Sequence, residues 1–175
     1  AGHVPLDALV QQACDEMAPL TTARGVLLDV GPLAGLAVPG DRTQLVRVLT
    51  NIVSNAVKFT PAGGRVRVST AAVPGVEAVR VVCADEGMGI PEAEQDRLFT
   101  RFFRASNATK HEVPGTGLGL VVVRGIVEAH GGRLTLSSLE GVGTTVAVEL
   151  PLTDERAHAS GESADASDRH AIESS

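Results

Sequence analysis

The stretch "DRTQLVRVLTNIVSNAVKFTP", residues 41–61, reads as one long helix with two unlike faces. At 100° per residue Leu45, Val48, Leu49, Ile52, Val53, Ala56 and Val57 fill a wide apolar arc, while Gln44, Arg47, Asn51, Asn55 and Lys58 fall within a stripe of about 80°. Asp41 is suited to cap the helix, and Thr60-Pro61-Ala62-Gly63-Gly64 ends it as a turn. Asn costs a helix up to about 0.7 kcal/mol per position relative to Ala, so helix stability does not select two of them on one face. A stripe this narrow is either a solvated face or the wall of a cleft. If it is a wall, the amide oxygens are hard neutral ligands suited to Mg²⁺, an ion that takes few protein ligands beside water and substrate phosphates. Lys58, one turn on, then places an ammonium near the same phosphates.

Outward from that helix the chain alternates short apolar runs with turns. Residues 5–24 repeat Leu6, Leu9, Val10, Ala13 and Met17 at helical spacing and are expected to form a first helix. "GVLLDVG" and "GLAV" suit a pair of strands; "RVRVSTAAV" and "EAVRVVCAD" read as strands joined through Pro74-Gly75. A short helix is expected near Pro91, a mobile polar loop over 104–116, a third long helix ending at Gly131, and a closing hairpin of "RLTLSSL" and "GTTVAVELP". This order predicts an α+β domain over residues 1–151: a two-layer sandwich whose mixed, mainly antiparallel sheet of about five strands carries three helices on one face. Residues 152–175 lack apolar periodicity and are expected to be a disordered tail.

The chain has 175 residues, 43% of them hydrophobic, which suits one domain with a real core. A formal charge of −6 argues against a nucleic-acid partner. Neither a membrane span nor a signal peptide is visible, so this piece is expected to be soluble, without direct membrane contact. Cys14 and Cys83 stand apart in helical and strand patterns and read as core thiols of a protein from a reducing compartment.

Three glycine groups punctuate the second half. "DEGMGIP", residues 85–91, sets a carboxylate at a strand end before Gly87 and Gly89. It is an ordinary turn, or a place where backbone lies flat against a planar ligand and Asp85 accepts from an exocyclic amine, which favours adenine over guanine. "GTGLGL", residues 115–120, opens a helix and offers free N–H groups for phosphate. It is neither the dinucleotide fingerprint nor a P-loop. Gly141, Gly143 and Thr144 open the last strand as a hairpin turn.

The joint order of Asn box, DxGxG, a Phe-rich box ("LFTRFFRA"), GTGLGL and GxGT resembles the ATP-binding catalytic domain of sensor histidine kinases, within the superfamily shared with gyrase, the ninety-kilodalton heat-shock chaperone and MutL. The resemblance covers nearly all of residues 5–151 and implies a Bergerat-type sandwich holding ATP under a flexible lid. It implies that Asn55 ligates Mg²⁺, Asn51 and Lys58 face the phosphates, and Phe59 lies beside the base. Asp85 would bind the adenine amine with Gly87, Gly89 and Ile90 beside the ring. Gly115, Gly117, Leu118 and Gly119 would hinge the lid, and Thr144 would lie near the adenine. Gyrase-like members carry a Glu one turn before the metal-binding Asn; here Asn51 stands there, and an amide is no general base. Slow hydrolysis and transfer of phosphate to a histidine are therefore expected, with Asn51 and Lys58 serving the reaction.

No His-Glu-x-x-Arg-Thr-Pro segment is present, and His111-Glu112 falls inside the expected lid. The phosphoacceptor His would belong to a dimerisation domain of the same kinase, with a response regulator downstream and the full protein anchored in the membrane with this domain on its cytoplasmic side. An ATPase of the same superfamily, a regulatory nucleotide-binding module and an anti-sigma-factor type serine kinase are the competing readings. His130, before Gly131-Gly132, reads as a structural cation at a helix C-terminus.

Overall fold

The computed structural model describes residues 2–110 and 119–153. In chain order these form β1 (Gly2–Pro5), α1 (Leu6–Glu16), α2 (Ala18–Arg24), β2 (Leu27–Val30), β3 (Ala37–Gly40), α3 (Arg42–Phe59), β4 (Arg65–Ala72) and β5 (Ala78–Asp85). A 3-10 helix (Glu92–Arg97), α4 (Ser106–Lys110), α5 (Gly119–Ala129), β6 (Arg133–Leu139) and β7 (Gly143–Pro151) follow.

The main sheet runs β2-β4-β5-β7-β6, parallel between β2 and β4 and antiparallel elsewhere. Its fold class is the expected mixed, mainly antiparallel one. Helices α1, α3 and α5 pack against the sheet, with α3 between the other two. Residues of one parity along each strand face these helices. Register aligns them in rows: Thr70, Val81, Val148 and Leu134; then Val68, Cys83, Val146 and Leu136; then Val66, Asp85, Thr144 and Ser138. The first two rows are almost wholly apolar and the last turns polar at the loop end of β5.

Helix α3 follows its sequence closely. Asp41 caps it, its side chain accepting from the Gln44 N–H at 3.1 Å. All seven residues of the apolar arc are buried. Burying an aliphatic side chain stabilises by roughly 1.5–3 kcal/mol, so the arc outweighs the propensity cost of two Asn several-fold. At its C-terminus Arg24 donates to the Lys58 carbonyl at 2.7 Å, tying α2 to the last turn of α3.

Four expectations need correction. The first helix breaks at Met17, because Pro19 has no N–H to give Asp15; restarting at Ala18 puts Pro19 in a first turn, where none is needed. The two strands read as a pair do not pair with each other. β2 joins β4 in the main sheet, and β3 pairs antiparallel with β1, a strand the sequence reading left unassigned. Within the expected loop over 104–116, residues 106–110 are helical, the Glu94 carboxylate accepting from both the N–H and the hydroxyl of Ser106. Lastly, His130 works as a neutral ring: Nδ1 bonds the Ile126 carbonyl at 2.8 Å and Nε2 accepts the Asp41 N–H at 3.1 Å. It thereby joins the end of α5 to the start of α3.

Both cysteines are buried and free. Burial pushes the Cys14 thiol up to about 11 and the Cys83 thiol well above its ordinary range, which leaves both unreactive. Among the described residues no helix is long and apolar enough to cross a membrane. The expected tail lies, from residue 154 on, outside the described residues.

Candidate functional site

A cavity of about 550 Å³ opens between α3, the polar end of the sheet and the segment that follows β5. Arg47, Asn51, Asn55 and Lys58 of the α3 stripe line it, so the stripe is a cleft wall. From Lys58 to Arg47 the stripe spans about 16 Å of helix axis, starting beside the Asp85 loop, where the Phe59 carbonyl accepts the Met88 N–H at 3.2 Å. Among the described residues the side chains of Asn51, Asn55, Lys58 and Arg47 make no hydrogen bond or ion pair. A Cβ at Gly119, the first residue of α5, would stand 3.6 Å from Asn55 Nδ2 and 3.8 Å from Asn51 Oδ1. Gly119 of α5 therefore stands against the two amides.

The base of the cleft is built by register. Asp85, Thr144 and Ser138 are cross-strand neighbours on the helix side of the sheet. Asp85 Oδ1 accepts two backbone N–H bonds, from Gly87 at 2.8 Å and Thr144 at 3.1 Å. Among the described residues Oδ2 takes none. Burial lifts the Asp85 carboxyl from 3.8 to about 6, against the pull of those two N–H groups. A half-buried carboxylate with one free oxygen is a strong acceptor waiting for a donor.

The glycines of this corner serve close packing. A Cβ at Gly87 would lie 2.6 Å from Asp85 Oδ1 and 2.9 Å from the Phe59 carbonyl oxygen. At Gly89, whose φ is +67°, a Cβ would strike the Leu139 carbonyl, and at Gly143 it would strike the carbonyl of Asp85. Gly89 lines the cavity as backbone, beside Ile90 and Phe59. Phe59, Met88 and Ile90 pack with Ala105 and Ala108 as a small apolar cluster separate from the main core.

The Phe-rich segment is spread out. Phe103 lines the cavity with the Arg97 guanidinium 4.5 Å from its ring centre, and Phe99 carries Arg124 at 5.2 Å. Phe102 is 72% exposed and holds a left-handed backbone with φ of 63°.

Of the residues the sequence singled out, Asn51, Asn55, Lys58, Phe59, Asp85, Gly89, Ile90, Gly119 and Thr144 all line this one cavity. Gly87 sits behind Asp85, and Gly115, Gly117 and Leu118 lie outside the described residues. Arg47 of the stripe also lines the cavity, as do Arg104 and Asn107, and Ser138 supports its base; Asn107 and Ser138 were not among the expected site residues. Inward parity with Leu134 and Leu136 was the signal for Ser138.

Among the described residues no group of three or more His, Cys, Asp or Glu could cage a metal. The hard donors on the part of the stripe that lines the cavity are the amides of Asn51 and Asn55. That set fits an ion that keeps most of its waters and is held chiefly by a substrate's phosphates.

A family model described as histidine kinase-, DNA gyrase B-, and HSP90-like ATPase matches residues 40–154. The sensor histidine kinase WalK of Bacillus subtilis is 39% identical over 125 residues, covering 71% of this chain and 20% of WalK. The chain thus spans about a fifth of that relative's length. The solved catalytic domain of histidine kinase ThkA, nucleotide free, superposes with a TM-score of 0.74 at 26% identity, covering 87% of this chain and 98% of that one. Full-length ShkA in complex with AMPPNP superposes with a TM-score of 0.72 at 28% identity, covering 87% of this chain and 31% of that one.

Proposed function

The chain belongs to the histidine kinase-, DNA gyrase B- and HSP90-like ATPase family, as the ATP-binding catalytic domain of a sensor histidine kinase, and we propose that it binds Mg-ATP and donates the γ-phosphate to a histidine on a separate domain. The observation that carries this reading is the division of one cleft. Among the described residues, a carboxylate oxygen without a partner stands at its base, and amides and cations without partners run away from it along α3.

In this reading the adenine amine donates to Asp85 Oδ2, and guanine, with an acceptor at that position, is refused. Phe59, Ile90 and the Gly89 backbone border the ring, with Gly87 holding Asp85 and Thr144 beside the base. The triphosphate follows the stripe, Lys58 neutralising it and Asn51 meeting its far end at the start of α5. Asn55 would hold Mg²⁺, which when bound offsets phosphate charge. Gly115, Gly117, Leu118 and Gly119 would hinge a lid over the phosphates. Catalysis here is positioning and charge neutralisation. The nucleophile comes from elsewhere: an imidazole nitrogen of the acceptor attacks the γ-phosphorus, the bond to the β,γ-bridging oxygen breaks, and ADP leaves.

Among the described residues Asp85 is the only carboxylate lining the cleft, and it lies at the base end. Asn51 is no general base, so water is poorly activated and hydrolysis is slow. The partner is a phosphoacceptor and dimerisation domain of the same kinase, with a response regulator downstream; neither nucleic acid nor a membrane is contacted by this piece. Exposed Phe102, held at positive φ, suits an apolar contact with that partner domain. The whole protein would be anchored in the cell membrane with this domain at the cytoplasmic face.

Calorimetry with ATP and GTP, with and without Mg²⁺, tests the reading; the chain has no Trp or Tyr for intrinsic fluorescence. ATP should bind and GTP should not, with Asn55→Ala abolishing the Mg²⁺ dependence. Equal binding of both nucleotides, or Mg²⁺ dependence that survives Asn55→Ala, would overturn it.

A further inference from the structure

Arg47 lines the cavity one helical turn before Asn51, at the end of the stripe away from Lys58 and the Asp85 loop. Among the described residues other arginines are committed: Arg65 to Asp29, Arg80 and Arg133 to Glu149, and Arg124 to Glu128. Among the same residues Arg47 has no such partner. The residues three and four positions from it on α3 are Thr43, Gln44, Thr50 and Asn51, none of them acidic. Its guanidinium therefore offsets no charge on its own helix, and its neighbours on the cavity wall, Asn51 and Asn55, are neutral. Arg47 is also exposed, so it can reorient toward a ligand at little cost.

Position along the helix decides what it meets. Helical side chains lean toward the helix N-terminus, so the Asn51 side chain covers the turn that begins at Arg47. A chain of phosphates that starts from the Asp85 end passes Lys58 and Asn55 first and reaches the turn between Asn51 and Arg47 last. A diphosphate stops short of it. We propose that Arg47 binds the γ-phosphate and thereby distinguishes ATP from the ADP that remains after transfer. This deepens the reading of the cleft as an ATP site and rests on it. A guanidinium presents parallel N–H donors in a fork that two oxygens of one phosphate can accept. Once the phosphoryl group has gone to the acceptor, Arg47 holds nothing of the ADP, and the product leaves without that contact to break.

The test is calorimetric affinity for ATP and ADP, each with Mg²⁺, on the whole chain and on Arg47→Gln, Arg47→Lys and Arg67→Gln. The last makes the same charge change on β4, on the face of the sheet away from the helices. In Arg47→Gln affinity for ATP should fall about tenfold or more, the scale of a hydrogen bond to a charged group, and affinity for ADP by less than about twofold. Arg47→Lys, which keeps the charge without the fork, should recover part of the loss. Arg67→Gln should leave the ratio of the two affinities unchanged. If Arg47→Gln weakens ATP and ADP by one factor, or weakens neither, Arg47 does not hold the third phosphate; the inference then falls while the nucleotide site stands. A ratio that falls as far in Arg67→Gln reports overall charge and overturns it as well. If wild type binds neither nucleotide, the site reading itself fails, and this inference with it.

Discussion

Replacing Asp85 by Asn should stabilise the empty domain while disabling it. The carboxyl is lifted from 3.8 to about 6 by burial. About two pKa units correspond to about 3 kcal/mol of cost for holding the ionised form in the fold at pH 7. The amide of Asp85→Asn can still accept from Gly87 and Thr144 through Oδ1, at 2.8 and 3.1 Å in the parent. It loses only the charge assistance of those bonds, which returns part of the gain. A net stabilisation of about 1–2 kcal/mol remains, or roughly 2–8 °C in Tm for a chain of this size. The sign has a pH signature. Between about pH 4 and 6 the folded wild type holds more protons than the unfolded chain, so its unfolding free energy falls as pH rises through that window. The variant lacks this slope. Urea unfolding of both proteins from pH 3.5 to 7.5 should show equal stabilities at the acid end and a gap in favour of Asp85→Asn that opens by pH 6. A gap independent of pH, or a variant less stable than wild type at pH 7, would refute the assignment. With Oδ1 held by the two N–H groups, the variant turns an NH₂ toward the cleft where adenine also carries one, so ATP affinity should drop by a hundredfold or more.

Other expectations follow from the same geometry. ATP affinity of the wild type should fall about tenfold per pH unit below pH 6, as Asp85 protonates; calorimetry at pH 5 and 7 reads this. Gly143→Ala should destabilise by about 3 kcal/mol or more, because its Cβ meets the Asp85 carbonyl, whereas Gly125→Ala in α5, where a Cβ meets nothing within 4 Å, should stabilise by about 0.5–1 kcal/mol; thermal melts separate the two. Arg24→Met should cost about 1 kcal/mol by leaving the Lys58 carbonyl without its donor, seen as a lower urea midpoint. Phe102→Gly relieves a positive φ and should raise stability by about 1 kcal/mol while lowering transfer to a separate acceptor domain.

Much of this was legible because local and long-range requirements agree. The arc and stripe of α3 required only helical periodicity, and one cavity collects the stripe because the opposite face is committed to the core. Strands β4 to β7 announced themselves by alternation and adjacent turns. What the sequence reading missed depended on partners. β1 contains His3 and Pro5 in four residues and has no alternation of its own; it is a strand because β3 pairs with it. β2 and β3 were assigned as strands but mated wrongly, since short runs do not encode register. Pro19 did mark the break at Met17, and the apolar spacing of Met17 masked it. Ser138 was not singled out, because its parity with Leu136 bears on the site only together with the register to Thr144 and Asp85.

The most direct measurement supplies the whole chain with γ-labelled ATP, Mg²⁺ and a phosphoacceptor hairpin from a sensor kinase in trans. Label should appear on the hairpin in an acid-labile, alkali-stable form, as phosphohistidine does. It should be lost with Asn55→Ala and with Asp85→Asn, and little free phosphate should form without the hairpin. Rapid release of free phosphate by the chain alone, with no label on the hairpin, would contradict a histidine phosphotransferase and return the cleft to an ATPase.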